Sequence, residues 1–537
     1  MNRKKSDNFC FKIFLNLIQN FFQRDLYFCC ISSFILVGLF NNYEFKNISF
    51  FYGFLALFLI FLLTNSLLVL LSFSHKILKI SLIILLFFST INLYVQNKYG
   101  YILDEIMMAN ALDSLGHIDD AIDYNLFLYF GFLTIIPAIL LINLKLKKTN
   151  LKIKFISVII AIILSIILIF FSPKQIFNFA INAVSPASYI SSSYRYYQRF
   201  SSARAIAKNR QSLTNLYNFN YVDKIKDDQN ELKIVVVIGE SLRADHLQLF
   251  GYNRITNPNL AKQKNLLKFR SQAFYTVTTP AITDLLSSRL NSEFMDIPKE
   301  KSLVDLMKNL DFKTYWFSMQ SSKQFGTEML NIMAMEADEY FFRDHIRIDL
   351  PNKNNIYDAD LLPYLQTVMN KNQRSFIILH SFGSHTHYFE RYPSEFKKFA
   401  DECGKDLKSC SLQQINNSYD NTVLYTDYFL NEVVKIIDQS NAILFYISDH
   451  GSFLGENGIY ANGNLDGSKS VAHNVPMFIY FSQKLQKNSY FVQKIFKAKN
   501  NQQKQITPDY FFDSVLDCSG IKSNLINSRK LSVCSQI

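Results

Sequence analysis

Five stretches without a single charged side chain fill the first third of this chain: residues 26–43, 47–75, 80–97, 124–144 and 155–173. Each is at least 18 residues long and most are dominated by Phe, Leu and Ile. A bilayer span needs about 20 predominantly apolar residues, and soluble cores rarely supply five such runs in series. They predict five membrane-spanning helices. Lysine and arginine order them: Arg3, Lys4 and Lys5 precede the first, Lys76 and Lys79 follow the second, and Lys145, Lys147, Lys148, Lys152 and Lys154 precede the fifth. Residues 96–123 instead hold six acidic residues against Lys98. The positive-inside rule then places the N-terminus in the cytoplasm, and five spans place everything after residue 175 on the far side. Residues 1–25 lack a small-residue cleavage site and are not a removable signal peptide. Residues 11–22 read equally as an interfacial amphipathic helix or an extension of the first span.

The net charge of +12 is in part these orienting lysines. No basic run interleaved with aromatics follows in the second half, so no nucleic-acid partner is expected. Cys403, Cys410, Cys518 and Cys534 all fall in the exported half, an even count that suits disulfides in an oxidising compartment. Proximity pairs Cys403 with Cys410 and Cys518 with Cys534, one of three possible connectivities. Residues 1–173 are read as the membrane domain, 174–231 as an interfacial helical connector, and 232–537 as a catalytic domain. In the last, apolar strands at 234–238, 314–318, 376–380, 442–447 and 477–481 alternate with helices at 280–290, 302–309, 361–370, 419–439 and 508–518. That alternation predicts an α/β domain with a largely parallel sheet.

Two strand ends carry chemistry. Gly239-Glu240-Ser241 closes the run that begins at Lys233, and Ser448-Asp449-His450-Gly451 closes the run that begins at Ala442. Open α/β sheets bind ligands at such C-terminal ends, and carboxylate oxygen with imidazole nitrogen is a donor set for zinc or a related divalent ion. Between them lies Thr276-Val-Thr278-Thr279-Pro280. Proline favours a helix start, which sets a threonine hydroxyl at a helix N-terminus facing a phosphate, and a metal can activate it as a nucleophile. His385 and His473 sit after a strand and just before the last one. His246 reads as structural, and Lys323 as a solvated lysine or a phosphate contact.

The stretches Gly239-Glu-Ser-Leu-Arg-Ala-Asp-His246, Gly251-Tyr-Asn-Arg-Ile-Thr-Asn-Pro258, His380 to His385, Tyr419-Asp-Asn421 with Thr426-Asp427, and Ser448 to Tyr460 resemble the alkaline phosphatase/sulfatase superfamily. The whole chain resembles the bacterial phosphoethanolamine transferases, among them the lipid A-modifying and mobile colistin-resistance enzymes. The resemblance implies a periplasmic sulfatase-like domain anchored by five spans in the inner membrane. It implies a site of one or two zinc ions, with Glu240, Thr278, Asp449 and His450 as ligands and Thr278, or Thr279 by a shift of one, as nucleophile. Phosphatidylethanolamine would be the donor, and lipid A or lipopolysaccharide core the acceptor. His385 matches a histidine that contacts the transferred phosphate or a second zinc. Asn462 stands where the lipid A enzymes carry a histidine, which His473 would supply. Tyr275 and Asp284 flank the nucleophile where those enzymes carry cysteines. Residues 104–110 loosely resemble a lipid-binding periplasmic loop. The rival within the superfamily is a glycerol-phosphate transferase using phosphatidylglycerol and a manganese-type ion. An ester hydrolase, a catalytically dead scaffold and a transporter fit less well, the last because the spans carry no charge at mid-membrane.

Overall fold

The computed structural model describes residues 24–38, 50–99, 124–171, 219–221, 231–288, 302–321, 328–343, 355–461 and 470–535. The expected helix at 11–22, the loop at 104–110, most of the connector, Lys323 and Asn462 lie outside them. The chain divides into two compact units.

The first unit is helical: α1 (Asp25–Gly38), α2 (Phe50–Leu71), α3 (His75–Tyr99), α4 (Tyr124–Asn143) and α5 (Leu151–Phe171). Among the described residues, α2 to α5 each contain about 20 residues long and apolar enough to cross a membrane, while α1 is a shorter apolar helix of 14 residues. The remainder of the expected first span lies beyond the described residues. Helix α4 holds one π turn, Gly131–Ile135, immediately before Pro137. Proline has no N–H and crowds the carbonyl four residues back, and a widened turn relieves that crowding. Leu36, Leu68, Leu82 and Val158 pack inside the bundle. Phe132, Leu140 and Phe170 stand exposed, as a lipid-facing surface requires.

The second unit is built on a seven-stranded sheet of order β3-β10-β7-β2-β6-β4-β5. The strands are β2 (Lys233–Gly239), β3 (Leu267–Gln272), β4 (Lys313–Ser318), β5 (Glu339–Phe341), β6 (Ser375–His380), β7 (Ala442–Ser448) and β10 (Asn474–Phe481). A short β1 (Phe219–Tyr221) pairs with β11 (Ile521–Ser523), and β8 (Phe453–Leu454) with β9 (Tyr460–Ala461). Strand β2 is central because Ile-Val-Val-Val-Ile is apolar on both faces: Ile234, Val236 and Ile238 enter one core, Val235 and Val237 the other. Each fully buried side chain contributes about 1.5–3 kcal/mol. It runs parallel to β6 and β7, and β6 parallel to β4.

Strand β10 runs antiparallel to both β7 and β3. Its beginning, next to His473, therefore lies at the edge where β2, β6 and β7 end. Helices α6 (Thr278–Leu285), α7 (Leu303–Asn309), α8 (Glu328–Ala334), α9 (Leu362–Met369), α10 (Leu412–Ile437), α11 (Ser489–Asn501), α12 (Asp509–Cys518) and α13 (Asn524–Arg529) accompany the sheet. Helix α10 begins seven residues before the expected start at Tyr419. A reciprocal cap between Ser411 and Gln414 starts it there. Both expected disulfides are present, with Cα separations of 5.7 Å for Cys403–Cys410 and 5.4 Å for Cys518–Cys534.

Candidate active site

Four side chains from three segments meet at the end of β2. Glu240 leaves β2 directly, Asp449 and His450 leave β7, and Thr278 opens α6, two residues ahead of Pro280. Neighbouring β2 and β7 keep their ends level, Gly239 opposite Ser448. Gly239 is glycine because a Cβ there would lie 2.2 Å from the Tyr446 hydroxyl. Ser241 then turns the chain with a left-handed φ of 59°, a conformation that costs about 1–3 kcal/mol outside glycine.

One oxygen or nitrogen from each of Glu240, Asp449 and His450 lies within 4.8 Å of the others. Thr278 Oγ1 donates to Glu240 Oε2 at 2.9 Å and sits 3.2 Å from His450 Nε2. His450 Nε2 is 3.4 Å from Glu240 Oε1 and 3.3 Å from Asp449 Oδ2. Glu240, Asp449 and His450 are buried, whereas Thr278 is half-buried. Thr278 is thus the most exposed of the four.

The remaining bonds orient the donors. His450 Nδ1 lies 2.9 Å from the Gly451 carbonyl, so Nδ1 carries the proton and Nε2 presents its lone pair, the arrangement found in metal-binding histidines. Asp449 Oδ1 accepts from the backbone N–H groups of Ser241 (3.0 Å) and His450 (2.7 Å). Asp449 Oδ2 is buried and makes no hydrogen bond among the described residues. An orphaned buried carboxylate oxygen is costly, and facing Nε2 and Glu240 it fits a cation. The charges say the same. Burial alone would raise the Glu240 carboxyl, but His450, then His385, outweigh it and hold it below the ordinary range. Burial, then the Glu240 charge, push Asp449 well up, and burial pushes His450 down. Two carboxylates here cannot both be ionised comfortably without a positive ion between them.

His385 lies on the loop after β6, its ring stacked on Phe382 at 5.3 Å and its Nδ1 3.3 Å from Thr386 Oγ1. This loop is pressed against Glu240: Ser384 N–H donates to the Glu240 carbonyl, and Gly383, at φ 48°, leaves no room for a Cβ, which would lie 2.7 Å from that carbonyl oxygen. His473 lies at the start of β10, where its Nδ1 meets the Ser470 hydroxyl at 2.8 Å and its backbone N–H at 3.3 Å. The N–H contact leaves the ring proton on Nε2. Both histidines share the site's edge but stand outside the cluster of three donors. His246 is structural: its Nδ1 bonds Asp420 at 2.7 Å, and Tyr252 and Arg254 hold the same carboxylate.

Two contributors are not read from sequence. His380 ends β6, and burial pushes its imidazole down to about 4. Its position at the end of an apolar strand is a signal of the same kind that marks Glu240. Asp358 accepts the N–H groups of Phe382 (2.6 Å) and Gly383 (3.0 Å) and so holds the His385 loop. Nothing local in its sequence announces that.

Residues 233–521 match the sulfatase family. The chain belongs to that family. Residues 60–200 match the family described as phosphoethanolamine transferase EptA/EptB. The Kdo(2)-lipid A phosphoethanolamine 7''-transferase of Escherichia coli K12 is 30% identical over 54% of this chain, a match spanning 52% of that relative, about half its length. The phosphatidylethanolamine transferase Mcr-1 of Escherichia coli is 28% identical, covering 76% of this chain and 80% of Mcr-1. Among solved structures, lipooligosaccharide phosphoethanolamine transferase A of Neisseria meningitidis, an integral membrane protein, superposes with a TM-score of 0.78. It covers 95% of this chain and 97% of its own at 19% identity, a likeness of fold. The periplasmic domain of Escherichia coli EptC, solved in complex with Zn, covers 61% of this chain and 91% of its own (TM-score 0.51, 24% identity).

Proposed function

We propose that this protein is a zinc-dependent transferase that moves phosphoethanolamine from phosphatidylethanolamine to an envelope glycolipid, lipid A or lipopolysaccharide core. It would do so through a covalent phospho-threonine intermediate on Thr278. The observation that carries the reading is the hydroxyl of a half-buried threonine seated 2.9 Å from Glu240 and 3.2 Å from His450, over three buried donors that suit a divalent ion. The relatives named above support the donor and the class of acceptor. The Lys and Arg distribution supports an inner-membrane protein with a cytoplasmic N-terminus and a periplasmic catalytic domain (232–537). Residues 26–43 would complete a fifth span, and 174–231 would form an interfacial connector.

Glu240, Asp449 and His450 would hold the zinc, with Thr278 Oγ1 in the remaining position. Zinc there lowers the pKa of a hydroxyl and polarises a phosphoryl oxygen. Thr278 points its hydroxyl hydrogen inward at Glu240, which leaves an oxygen lone pair for the attack. That oxygen attacks phosphorus as its proton passes to Glu240 Oε2, 2.9 Å away; a Thr278 O–P bond forms, and the bond to diacylglycerol breaks. The leaving alkoxide takes a proton from solvent while His473 donates a hydrogen bond to it from Nε2–H, and His385 steadies charge on the phosphoryl group. The acceptor hydroxyl then attacks the same phosphorus, losing its proton to solvent, and Thr278 leaves and recovers its proton from Glu240.

Mass spectrometry of glycolipids from cells expressing wild type or Thr278→Ala tests this. Wild type is expected to add one phosphoethanolamine to lipid A or core, and Thr278→Ala none. Equal addition by both would remove Thr278 as nucleophile, and addition of glycerol phosphate would favour phosphatidylglycerol as donor.

A further inference from the structure

The Tyr419-Asp-Asn421 run plays no part in the transfer chemistry, yet Tyr419 reaches the turn that carries Glu240. Its ring is fully buried. Its hydroxyl donates to the Ser241 carbonyl at 2.7 Å and accepts the Arg243 N–H at 2.8 Å. It therefore straddles Ser241, the residue with left-handed φ. The same Ser241 donates its hydroxyl to Glu240 Oε1 at 2.7 Å and its N–H to Asp449 Oδ1 at 3.0 Å. The Tyr419 ring is itself fixed edge-on by His246 (4.9 Å) and Tyr388 (5.2 Å), and His246 is tied to Asp420 of the same helix. Burial pushes the phenol well above its ordinary range, so it stays protonated and keeps donating.

We infer that Tyr419 is a positioning residue. Its hydroxyl clamps the strained turn at Ser241 and so sets the spacing of the Glu240 and Asp449 carboxylates for a divalent cation. The inference rests on reading the site as a metal centre. Removing the hydroxyl alone, in Tyr419→Phe, leaves the Ser241 carbonyl and Arg243 N–H unpaired and lets the turn relax.

The test measures apparent zinc affinity by chelator competition on the full-length protein in detergent. It compares wild type, Tyr419→Phe, Ser241→Gly and the double variant, and adds kcat and KM for phosphatidylethanolamine at saturating zinc. Tyr419→Phe is expected to weaken zinc about 10- to 100-fold, the usual loss for a group that orients a ligand, with KM unchanged. Glycine takes a left-handed φ freely. In the Ser241→Gly background the further loss on Tyr419→Phe is therefore expected to shrink to about threefold or less, a coupling that independent sites do not show. Wild-type zinc affinity in Tyr419→Phe, or losses that simply multiply in the double variant, would overturn the inference. If Tyr419→Phe alone does not fold, the double variant set against Ser241→Gly decides: a loss of tenfold or more there overturns it. A wild-type protein that takes up no zinc overturns the metal reading and the inference with it.

Discussion

Asp513, on α12, is fully inaccessible, and neither of its carboxylate oxygens makes a hydrogen bond among the described residues. Arg529 Nη1, 3.6 Å away, is its ion-pair partner. Burial outweighs that attraction and pushes the carboxyl up to about 6 from 3.8. A carboxyl raised on folding contributes stability that is present below its unfolded pKa and lost as pH rises through the folded one. The charge is therefore tolerated at neutral pH at a cost of about 1–3 kcal/mol. Asp513→Asn is expected to raise the thermal midpoint of the catalytic unit at pH 8. The gain should fade between pH 6 and pH 4 and vanish below. A gain independent of pH would mean that the charge is not the cause. Residue types of this kind were legible in the sequence only where they clustered. Glu240, Asp449 and His450 lie at ends of apolar runs and Thr278 in a threonine cluster before a proline, where donors announce a site. Tyr419, Asp358 and Asp513 act through distances across the fold, and no local pattern encodes them.

At the scale of elements, runs with one dominant periodicity were legible and mixed ones were not. Strand β2 and the four apolar stretches that form α2 to α5 read directly. Strand β3, Leu-Lys-Phe-Arg-Ser-Gln, alternates buried and half-buried positions at the sheet edge, and its four polar side chains hid it. The start of α10 was hidden by the polar run Gln413 to Ser418, although its capping pair was there to be read. Lys154 shows the limit most plainly. In sequence it is one of five orienting lysines. In the fold it is 2% exposed, and its Nζ meets Asp25 Oδ2 at 2.5 Å and Ser72 Oγ at 2.8 Å. Asp25 also bonds His75 Nε2 (3.1 Å) and the Thr149 N–H (2.9 Å). One carboxylate thus ties the start of α1 to the α2–α3 turn, the α4–α5 loop and α5. Removing one partner of a buried pair leaves an uncompensated charge worth about 3–5 kcal/mol. Asp25→Ala is expected to destabilise the helical unit by that amount in thermal unfolding in detergent. Adding Lys154→Met should recover most of the loss. Equal destabilisation by single and double variants would show that packing at Asp25, not charge, is what matters.

The whole molecule has two independent supplies of stability. The helical unit packs around Cys29, Leu68, Leu82 and their neighbours, while the sheet carries a separate core on each face. Both disulfides and the donor cluster belong to the sheet unit. A ligand that binds only the folded state stabilises it by about 2.7 kcal/mol at one hundred times its dissociation constant, and that energy enters the unit that holds it. Two unfolding transitions are therefore expected in detergent. Zinc should raise one and a chelator lower it, whereas Asp25→Ala should lower the other alone. Glu240→Gln removes a donor charge from the pocket and should abolish the zinc response without moving the helical transition. A zinc-free transition well below wild type would mean that Glu240 serves the fold rather than the ion. A zinc response that persists in Glu240→Gln would place the ion elsewhere.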